Sequence, residues 1–455
     1  MPITLTPSTL DPVLSRLHAA NADYVGIYPG EPIDRQPVHT VYGGAHLFRH
    51  DSARRLGDIA LASLREYAPD AATFAAAVGL DADPAIAAEV YRRTLDKLTR
   101  EPVEDFRIDF EDGYGIRPEA EEDACARSAA VEVALGMEHN TLPHFIGIRI
   151  KNFGKGTCER GIRTMDLFLT ALSDKTSGRL PANFVVMLPK LVSAAQVSAM
   201  VDIFEAFESA GKFAQGALKL EFMVETTQSV IDARGLCPLA DFVRASRGRC
   251  IAAALGVYDY TASIGITAQQ QRIDHRGCDF ARHIMQVALG GSGLWLSDGA
   301  TNIMPAAPHK SDPDSPLSPL QLAENRAAFH AAWRLNFANV RRSLAHGWYQ
   351  GWDLSPAQLP VRYAAMYSYF LEYLPEATHR LRNFVDKAAR ATLVGGAAGG
   401  VFDDAATAQG LLTFFIQGLR RQAITMHEVA ATGLKPAEIA MRSFAAILAA
   451  RSTRQ

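Results

Sequence analysis

The stretch Leu218-Lys219-Leu220-Glu221-Phe222-Met223-Val224-Glu225-Thr226 predicts the fold of the chain. Large apolar residues alternate along it, and it delivers the carboxylate of Glu225 directly before a helix-like segment, Thr227 to Ala233. A strand that carries an acid at its carboxyl end, followed by a helix, is typical of barrel enzymes. The stretch therefore indicates a βα unit with Glu225 in a functional position.

A second unit of the same kind follows. The apolar run Ile251–Val257 leads into Tyr258 and Asp259. A single acid at a strand end is as often a helix N-cap or a solvated loop residue. Two acids on consecutive units favour a metal site, because Mg²⁺ prefers carboxylate oxygens. We predict that Glu225 and Asp259 are ligands of one Mg²⁺ or Mn²⁺.

The same pattern of short apolar run and helical stretch recurs along most of the chain. Six strand-like runs are residues 38–45, 106–112, 144–150, 183–190, 218–226 and 251–257. Residues 293–299 are the candidate seventh strand, and residues 348–360 are the candidate eighth unit. Short apolar strands that alternate with helices imply a parallel sheet covered on both faces. Eight such units predict an α/β fold, a closed (β/α)8 TIM barrel over residues 38–360. Residues 1–37 form an N-terminal helix and lead-in loop, and residues 361–455 form a helical C-terminal extension.

Helix boundaries follow from capping residues and prolines. Asp11 is the predicted N-cap of the N-terminal helix, with Pro12 at its first position. The region 52–100 is rich in Ala and Leu and is broken near two prolines. The glycine-rich run 395–400 lacks the Lys-Ser/Thr that follows a phosphate-binding loop, which favours a hinge between helices.

Composition limits the class of protein. The 455 residues are 48% hydrophobic and 21% charged, and 46 basic against 49 acidic residues give a net charge of −3. This balance gives no reason to expect nucleic acid or an anionic membrane as a partner. The N-terminus lacks the features of a signal peptide, and no apolar run approaches the roughly 20 residues that span a membrane. The five cysteines form no CxxC pair, so we expect a cytoplasmic protein with reduced thiols.

The predicted tail contains apolar clusters, Leu411-Leu412 and Phe414-Phe415-Ile416. A solvated helix does not keep such clusters exposed. We predict that the tail packs either on the barrel or on a neighbouring subunit. A homo-oligomer is the expected assembly.

Three acids lie within four residues at the end of the second strand, Asp109-Phe110-Glu111-Asp112. Such acids raise one another's pKa unless a cation is near. The alternative is a surface turn, but Phe106 and Ile108 precede them in strand alternation. Because Mg²⁺ usually keeps several waters, we predict that Asp109, Glu111 and Asp112 are outer-shell groups that reach metal-bound water.

Two cationic residues occupy predicted strands. Arg149 lies in the apolar strand that ends at Ile150, with no acid beside it in sequence, so it needs an anionic partner in space. The partner is either an acid of a structural salt bridge or a substrate carboxylate held bidentately. Lys190 follows Pro189 at another strand end. We predict it as an outer-shell group that pairs with the acid cluster.

Two histidines, His39 and His46, flank the first strand. A lone histidine is more often structural than catalytic. Together with metal-bound water, they are the candidates for a general base. Arg149, His39 and His46 are therefore the predicted catalytic residues.

Six short motifs follow one another along the chain between residues 109 and 359. They are Asp109-Phe110-Glu111-Asp112, Arg149-Ile150-Lys151-Asn152, Leu188-Pro189-Lys190, Val224-Glu225-Thr226, Leu255-Gly256-Val257-Tyr258-Asp259-Tyr260 and Leu354-Ser355-Pro356-Ala357-Gln358-Leu359. In this order they resemble the HpcH/HpaI aldolase and citrate lyase β-subunit family, within the phosphoenolpyruvate/pyruvate-binding barrels. Departures from that family are Ser355 in place of histidine, Val38-His39-Thr40 in the first strand, and the long helical tail.

The resemblance implies a Mg²⁺-dependent lyase that makes or breaks a carbon–carbon bond next to a carbonyl. It implies Glu225 and Asp259 as metal ligands and Arg149 as the group that grips a small oxo acid or acyl substrate. The departures leave open whether coenzyme A takes part. Alternatives are a malate-synthase-like condensation, phosphoryl transfer involving an enolpyruvate, and a non-catalytic metabolite-binding barrel, because a fold does not fix its chemistry.

Overall fold

A computed structural model of the chain describes residues 5–311, 316–388 and 405–452. The glycine-rich run 395–400, predicted as a hinge, lies outside these residues. Among the described residues, no helix combines the length and apolar character needed to cross a membrane. The five cysteines are free thiols, as the sequence predicts.

Eight parallel strands close into a barrel in sequential order, and β1 pairs with β8 to complete it. The predicted TIM barrel is confirmed. The strands are β1 His39–Gly44, β2 Asp105–Asp109, β3 Phe145–Arg149, β4 Phe184–Leu188, β5 Leu220–Val224, β6 Cys250–Leu255, β7 Trp295–Ala300 and β8 Gln350–Asp353.

Helices cover the outside of the barrel and build the tail. They are α1 Pro7–Ile27, α2 Ser52–Tyr67, α3 Ala71–Val78, α4 Pro84–Arg100, α5 Glu119–His139, α6 Cys158–Thr176, α7 Ala194–Ser209, α8 Thr227–Val230, α9 Leu239–Ala245, α10 Val257–Ser263, α11 Arg276–Leu289, α12 Pro319–Ala345, α13 Leu359–Ala388, α14 Ala405–Arg420, α15 Met426–Ala430, α16 Pro436–Ile439 and α17 Phe444–Ser452. The predicted breaks in the region 52–100 are confirmed.

The second strand is shorter than predicted and ends at Asp109. The Asp109 carboxylate accepts hydrogen bonds from the backbone N–H groups of Glu111 (2.9 Å) and Gly113 (2.7 Å). These bonds turn the chain away from the sheet, because an Asp side chain can replace the next strand as the partner of nearby backbone donors. Glu111 and Asp112 therefore lie on a loop at the carboxyl end of the barrel.

The predicted start of α1 is wrong. The helix begins at Pro7, with Thr6 in the N-cap position, and Pro12 lies inside it. Thr6-Pro7 has the same pattern as Asp11-Pro12, a capping residue followed by proline. The helix begins at the earlier of the two pairs. A proline this far into a helix costs one backbone hydrogen bond.

The barrel interior contains a polar layer near the amino end of the strands. Arg107 donates to Glu221 (2.6 Å) and to Asp105, and Thr40 donates to Asp105 (3.0 Å). All four side chains are buried. Above this layer, Tyr42, Met187, Met223 and Ala254 form a small apolar cluster that is separate from the main core. This cluster lies between the polar layer and the carboxyl end of the barrel.

The eighth barrel helix and the start of the tail are one element. Helix α13 begins at Leu359 and packs against α4 and α12. The domain boundary expected at residue 360 therefore falls within a continuous helix. Farther along the tail, Leu412 and Phe415 are buried, and Phe414 contacts Phe370 of α13. Of the two predicted positions for the tail, packing on the barrel accounts for these apolar residues.

Candidate active site

Seven charged side chains from successive βα units meet at the carboxyl end of the barrel. We call them the mouth cluster: Asp109, Glu111, Asp112, Arg149, Lys190, Glu225 and Asp259. They come from the ends of β2, β3, β4, β5 and β6, which are hydrogen-bonded neighbours in the sheet. Parallel strands place their carboxyl ends on one side, so residues far apart in sequence lie together there.

Arg149 is the last residue of β3 and is buried. Its Nε and Nη2 donate to the two oxygens of Asp109, at 2.7 and 2.5 Å. Its Nη1 points elsewhere, 3.4 Å from Glu111 Oε2 and 3.7 Å from Asp112 Oδ2. Burial opposes the charge, yet the pKa of Arg149 is raised, because Asp109 and Glu111 stabilise the guanidinium.

Asp109 holds Arg149 in place. Both of its oxygens bond to the guanidinium, and the same oxygens accept from the loop backbone. A carboxylate with this many donors is fully engaged. The bidentate pair supplies an anionic partner for Arg149, an acid that comes from the neighbouring strand.

Lys190 places its ammonium among the acids of the mouth cluster. The residue has a left-handed backbone (φ 49°), which is uncommon for a residue with a Cβ and occurs at functional turns. Its Nζ lies 2.5 Å from Glu111 Oε1, 3.3 Å from Asp112 and 3.5 Å from Asp259 Oδ2. Burial opposes its charge, but Glu111, Glu225 and Asp112 raise the pKa of Lys190.

Glu225 follows β5 and is 2% exposed. Its Oε1 accepts a hydrogen bond of 2.6 Å from the backbone N–H of Lys190. Burial, together with the negative charges of Asp259 and Glu111, raises the pKa of Glu225 to about 8. Gly256 lies against this carboxylate, and a Cβ there would collide with Glu225 Oε2. A side chain at position 256 would thus displace the acid.

Asp259 lies in the first turn of α10, and its side chain is 43% exposed. It faces Lys190, and its charge acts on Glu225. The two acids predicted as metal ligands therefore share one neighbour, Lys190, whose ammonium faces Asp259 and whose backbone N–H donates to Glu225. Lys190 and a bound cation would compete for these carboxylates.

The donor chemistry of the mouth cluster fits a divalent cation. Five carboxyl groups face two cationic groups, and the buried Glu111 Oε2 has no hydrogen-bond partner among the described residues. Hard carboxylate oxygens are the ligands of Mg²⁺ and Mn²⁺. In the described part of the chain, no three acidic, histidine or cysteine side chains already stand at ligand spacing. Lys190 occupies the space between Glu111 and Asp259.

Two aromatic residues that sequence reasoning missed lie together on one side of the Arg149 guanidinium. Its central carbon lies 4.8 Å from the ring centre of Tyr42 and 5.8 Å from that of Trp352. The two rings contact each other with centres 4.4 Å apart. Aromatic faces attract a desolvated cation. Strand alternation gave a signal for Tyr42, since it shares one face of β1 with Thr40 and points into the barrel.

His39 is not part of the mouth cluster, and its predicted catalytic role is wrong. It is the first residue of β1, at the opposite end of the barrel, and is fully buried. Its Nδ1 bonds to Asp353 Oδ2 (3.0 Å), and its Nε2 accepts from the backbone N–H of Glu104 (3.0 Å). With both ring nitrogens engaged, His39 cannot take a proton from a substrate in the mouth.

His46 lies on the loop after β1, at the same end of the barrel as the mouth cluster. Its ring packs edge-on against Tyr114, with ring centres 5.5 Å apart. Its Nδ1 is buried and has no hydrogen-bond partner among the described residues. Burial, with help from Arg117, lowers the pKa of His46. A neutral imidazole with a free nitrogen keeps the chemistry of a base, and this role stays a prediction.

Several solved structures resemble this one. CitE from Mycobacterium tuberculosis, in complex with magnesium, acetoacetate and coenzyme A, is 16% identical, with a TM-score of 0.45 over 85% of this chain and 99% of that chain. Haloferax volcanii malate synthase, as a lead(II) complex, is 12% identical, with a TM-score of 0.45 over 89% and 90%. A citrate lyase β subunit from M. tuberculosis with oxaloacetate and magnesium is 15% identical, with a TM-score of 0.38 over 72% and 96%.

No curated protein sequence matches the chain. One family does, and its match covers residues 17–447, which includes the barrel and most of the tail. The chain therefore belongs to the family described as "Domain of unknown function (DUF6986)".

Proposed function

We propose that this protein is a divalent-cation-dependent carbon–carbon lyase that acts on a 2-oxo acid or a related acyl compound through an enolate. The observation that carries the proposal is the surplus of carboxylates in the mouth cluster. Five carboxylates against two cations leave three uncompensated negative charges when all are ionised. A partly buried cluster of this kind is stable only with a further cation or with protons on its acids.

The raised pKa of Glu225 indicates how the cluster behaves without a cation. At a pKa of about 8, Glu225 is mostly protonated at neutral pH. A bound dication would take the place of that proton and leave Glu225 ionised. We assign Glu225 and Asp259 as the side chains that would hold Mg²⁺ or Mn²⁺. The bound ion supplies a Lewis acid that polarises a carbonyl oxygen.

Glu111 and Asp112 serve this site as outer-shell groups. They lie on the loop held by Asp109 and contact Lys190, so they are positioned together with the rest of the cluster. Outer-shell carboxylates orient bound water and tune the affinity of a metal site. Lys190 neutralises part of their charge.

Arg149 is suited to an anionic substrate. Asp109 fixes two of its nitrogens, while Nη1 remains directed toward the loop acids. A guanidinium held rigidly by a second group is already organised for the charge that develops on an enolate oxygen. Tyr42 and Trp352 lie against one side of it, and the exclusion of water there strengthens its attraction for an anion.

Lys190 is poorly suited to a different aldolase chemistry, in which an amine forms a Schiff base. That chemistry needs a neutral amine, which burial or cationic neighbours provide by lowering the pKa of a lysine. The carboxylates of the mouth cluster raise the pKa of Lys190 instead. Its ammonium therefore acts as a counter-ion. Of the two histidines predicted as a base, His46 remains.

The experiment that tests the proposal follows exchange of pyruvate methyl protons with solvent deuterium by NMR. We expect exchange that depends on added Mg²⁺ or Mn²⁺ and is lost in Glu225→Gln. Arg244→Lys is a matched control, because Arg244 is exposed on α9, away from the mouth cluster, and pairs with nearby Asp241 at 2.7 Å. If the protein binds the cation but catalyses no proton exchange in pyruvate or in larger 2-oxo acids, the proposed lyase activity is contradicted. A metabolite-binding protein is then favoured.

A further inference from the structure

Among the long helices in the described part of the chain, α1 alone has no buried residue. It is 21 residues long. Apolar side chains along it face solvent, with Leu17 at 51% and Ile27 at 63% exposed. An isolated helix of this length is marginal in water, and Pro12 weakens it further. A helix with this composition needs a partner to cover its apolar face.

Six apolar residues of α1, five of them exposed and Leu10 half-buried, follow a heptad repeat, while exposed Leu14 and Val25 lie outside it. Counting Leu10 as position a, the a positions are Leu10, Leu17 and Tyr24, and the d positions are Val13, Ala20 and Ile27. Pro12 falls at position c, outside this stripe. Apolar residues at a and d over three heptads form the seam of a two-helix coiled coil.

The charges beside the seam select the orientation of the two helices. Arg16 and Asp23 occupy successive g positions. In a parallel pair a g residue faces an e residue, and the e positions carry Leu14, Asn21 and Tyr28, which have no charge. In an antiparallel pair of identical helices, g residues face g residues. Arg16 then lies opposite Asp23 of the partner subunit, and the pair occurs twice by symmetry.

The core positions give the same orientation and register. When Arg16 lies opposite Asp23 of the partner subunit, Leu10 packs against the partner subunit's Ile27. Leu17 then packs against the partner subunit's Ala20. Each a residue thus meets a d residue, and the seam is matched from its first to its last position. The two-fold axis passes between Leu17 and Ala20, near the middle of α1, so nearly the whole helix is covered.

The C-terminal end of α1 is anchored to the body of the protein. The Gly30 backbone N–H donates to the Gly291 carbonyl (2.8 Å), and Glu31 pairs with Arg420 of α14 (2.7 Å). The helix therefore projects from a fixed point. A two-fold contact along it would join two barrels at opposite ends of a rod about 31 Å long.

We propose that α1 is a dimerisation arm, which pairs antiparallel with α1 of a second copy of this chain. The proposal is independent of the chemistry in the barrel mouth. It commits to a homodimer held by the heptad seam and by the two ion pairs between Arg16 and Asp23 of the partner subunit.

Sedimentation equilibrium of the full chain tests this proposal through a charge swap. Arg16→Asp places like charges opposite each other at both symmetric positions. We expect the dissociation constant of the dimer to increase about tenfold. The double variant Arg16→Asp/Asp23→Arg restores opposite charges only in the antiparallel arrangement, so it should dimerise like the wild type. Ser15→Asp is the matched control, since position f faces away from the partner and dimerisation should not change.

A second variant removes the seam itself. Leu17→Asp puts a charge at the centre of the interface, and we expect a monomer whose barrel keeps its thermal unfolding transition. A monomeric wild type at micromolar concentration would overturn the proposal. So would a dimer that Leu17→Asp leaves intact, or a double swap that fails to restore dimerisation.

Discussion

Two charged clusters, one near each end of the barrel, differ in their balance of charge. At the amino end, Arg35 and Lys97 face Glu101 and Glu104, and each cation lies within 3.2 Å of both acids. We call these four residues the amino-end cluster. Two cations and two anions balance there. At the carboxyl end, the mouth cluster has two cations for five acids, and Asp112 and Asp259 reach solvent.

The difference separates a structural use of charge from a functional one. In the amino-end cluster, burial raises the pKa of Glu104, but Lys97 and Arg35 outweigh it and lower the pKa overall. In the mouth cluster, the pKa of buried Glu225 is raised to about 8. One acid therefore stabilises the fold when ionised, and the other destabilises it until a cation arrives.

The largest expected effect is a loss of folding stability when one acid of the amino-end cluster is neutralised. Glu104→Gln leaves Lys97 and Arg35 with one acid between them and weakens the bond from the Val38 N–H to this side chain (2.8 Å). Removing one partner of a buried charge pair costs about 3–5 kcal/mol in the free energy of unfolding. Urea titration of the cation-free protein measures it. Glu225→Gln is the matched change in the mouth cluster, and it should not lower the free energy of unfolding. If both variants lose the same free energy of unfolding, the two clusters do not differ in the way described.

Glu225→Gln should act on cation affinity instead. Loss of an outer-shell partner reduces metal affinity about 10–100-fold, so loss of a charged ligand should exceed about 100-fold. The fold survives because glutamine keeps the shape and can still accept from the Lys190 N–H. Calorimetric titration with Mn²⁺ measures the affinity, and Glu104→Gln, at a temperature where it is folded, should bind like the wild type. Wild-type affinity in Glu225→Gln would remove Glu225 as a ligand.

Arg149→Lys tests whether the mouth cluster needs the shape of the guanidinium as well as its charge. Lysine keeps the charge but loses the planar fork that bonds both oxygens of Asp109. We expect a folded protein that binds Mg²⁺ and loses about 100-fold in turnover, which corresponds to about 2.7 kcal/mol of transition-state stabilisation. The rate of proton exchange measures it, with Arg244→Lys as the control. Unchanged turnover would mean that Arg149 serves only its salt bridge.

The smallest expected effect is a pH dependence of cation affinity. A cation must displace the proton of Glu225, so affinity should rise by up to about tenfold per pH unit until the pKa of about 8 and then level off. The raised pKa also means that the cation-free protein loses stability as the pH rises from the unfolded value of about 4.3 through about 8. Glu225→Gln should flatten both dependences. A flat affinity in the wild type would contradict the protonated Glu225.

The sequence predicted the barrel and most of the mouth cluster because apolar alternation marks strands and parallel strands align their carboxyl ends. Glu225, Asp259 and Arg149 were identified for that reason. Sequence patterns do not give the position of a flexible side chain. They predicted that Lys190 pairs with the acid cluster, but not that its ammonium lies between Glu111 and Asp259. His39 was misjudged because a strand pattern shows where a strand lies and not how deeply its first residue is enclosed.

The lead-in loop connects distant parts of the chain, and this affects how the protein folds during synthesis. Gln36 bonds to Gln350, 314 residues later, and to Arg421, 385 residues later. At about 5–20 residues per second, a ribosome needs roughly 15–60 s to make the first of these partners. Throughout that interval β1 lacks β8 and keeps one open strand edge. The nascent chain thus exposes, for most of its synthesis, the kind of edge that invites aggregation and that chaperones cover.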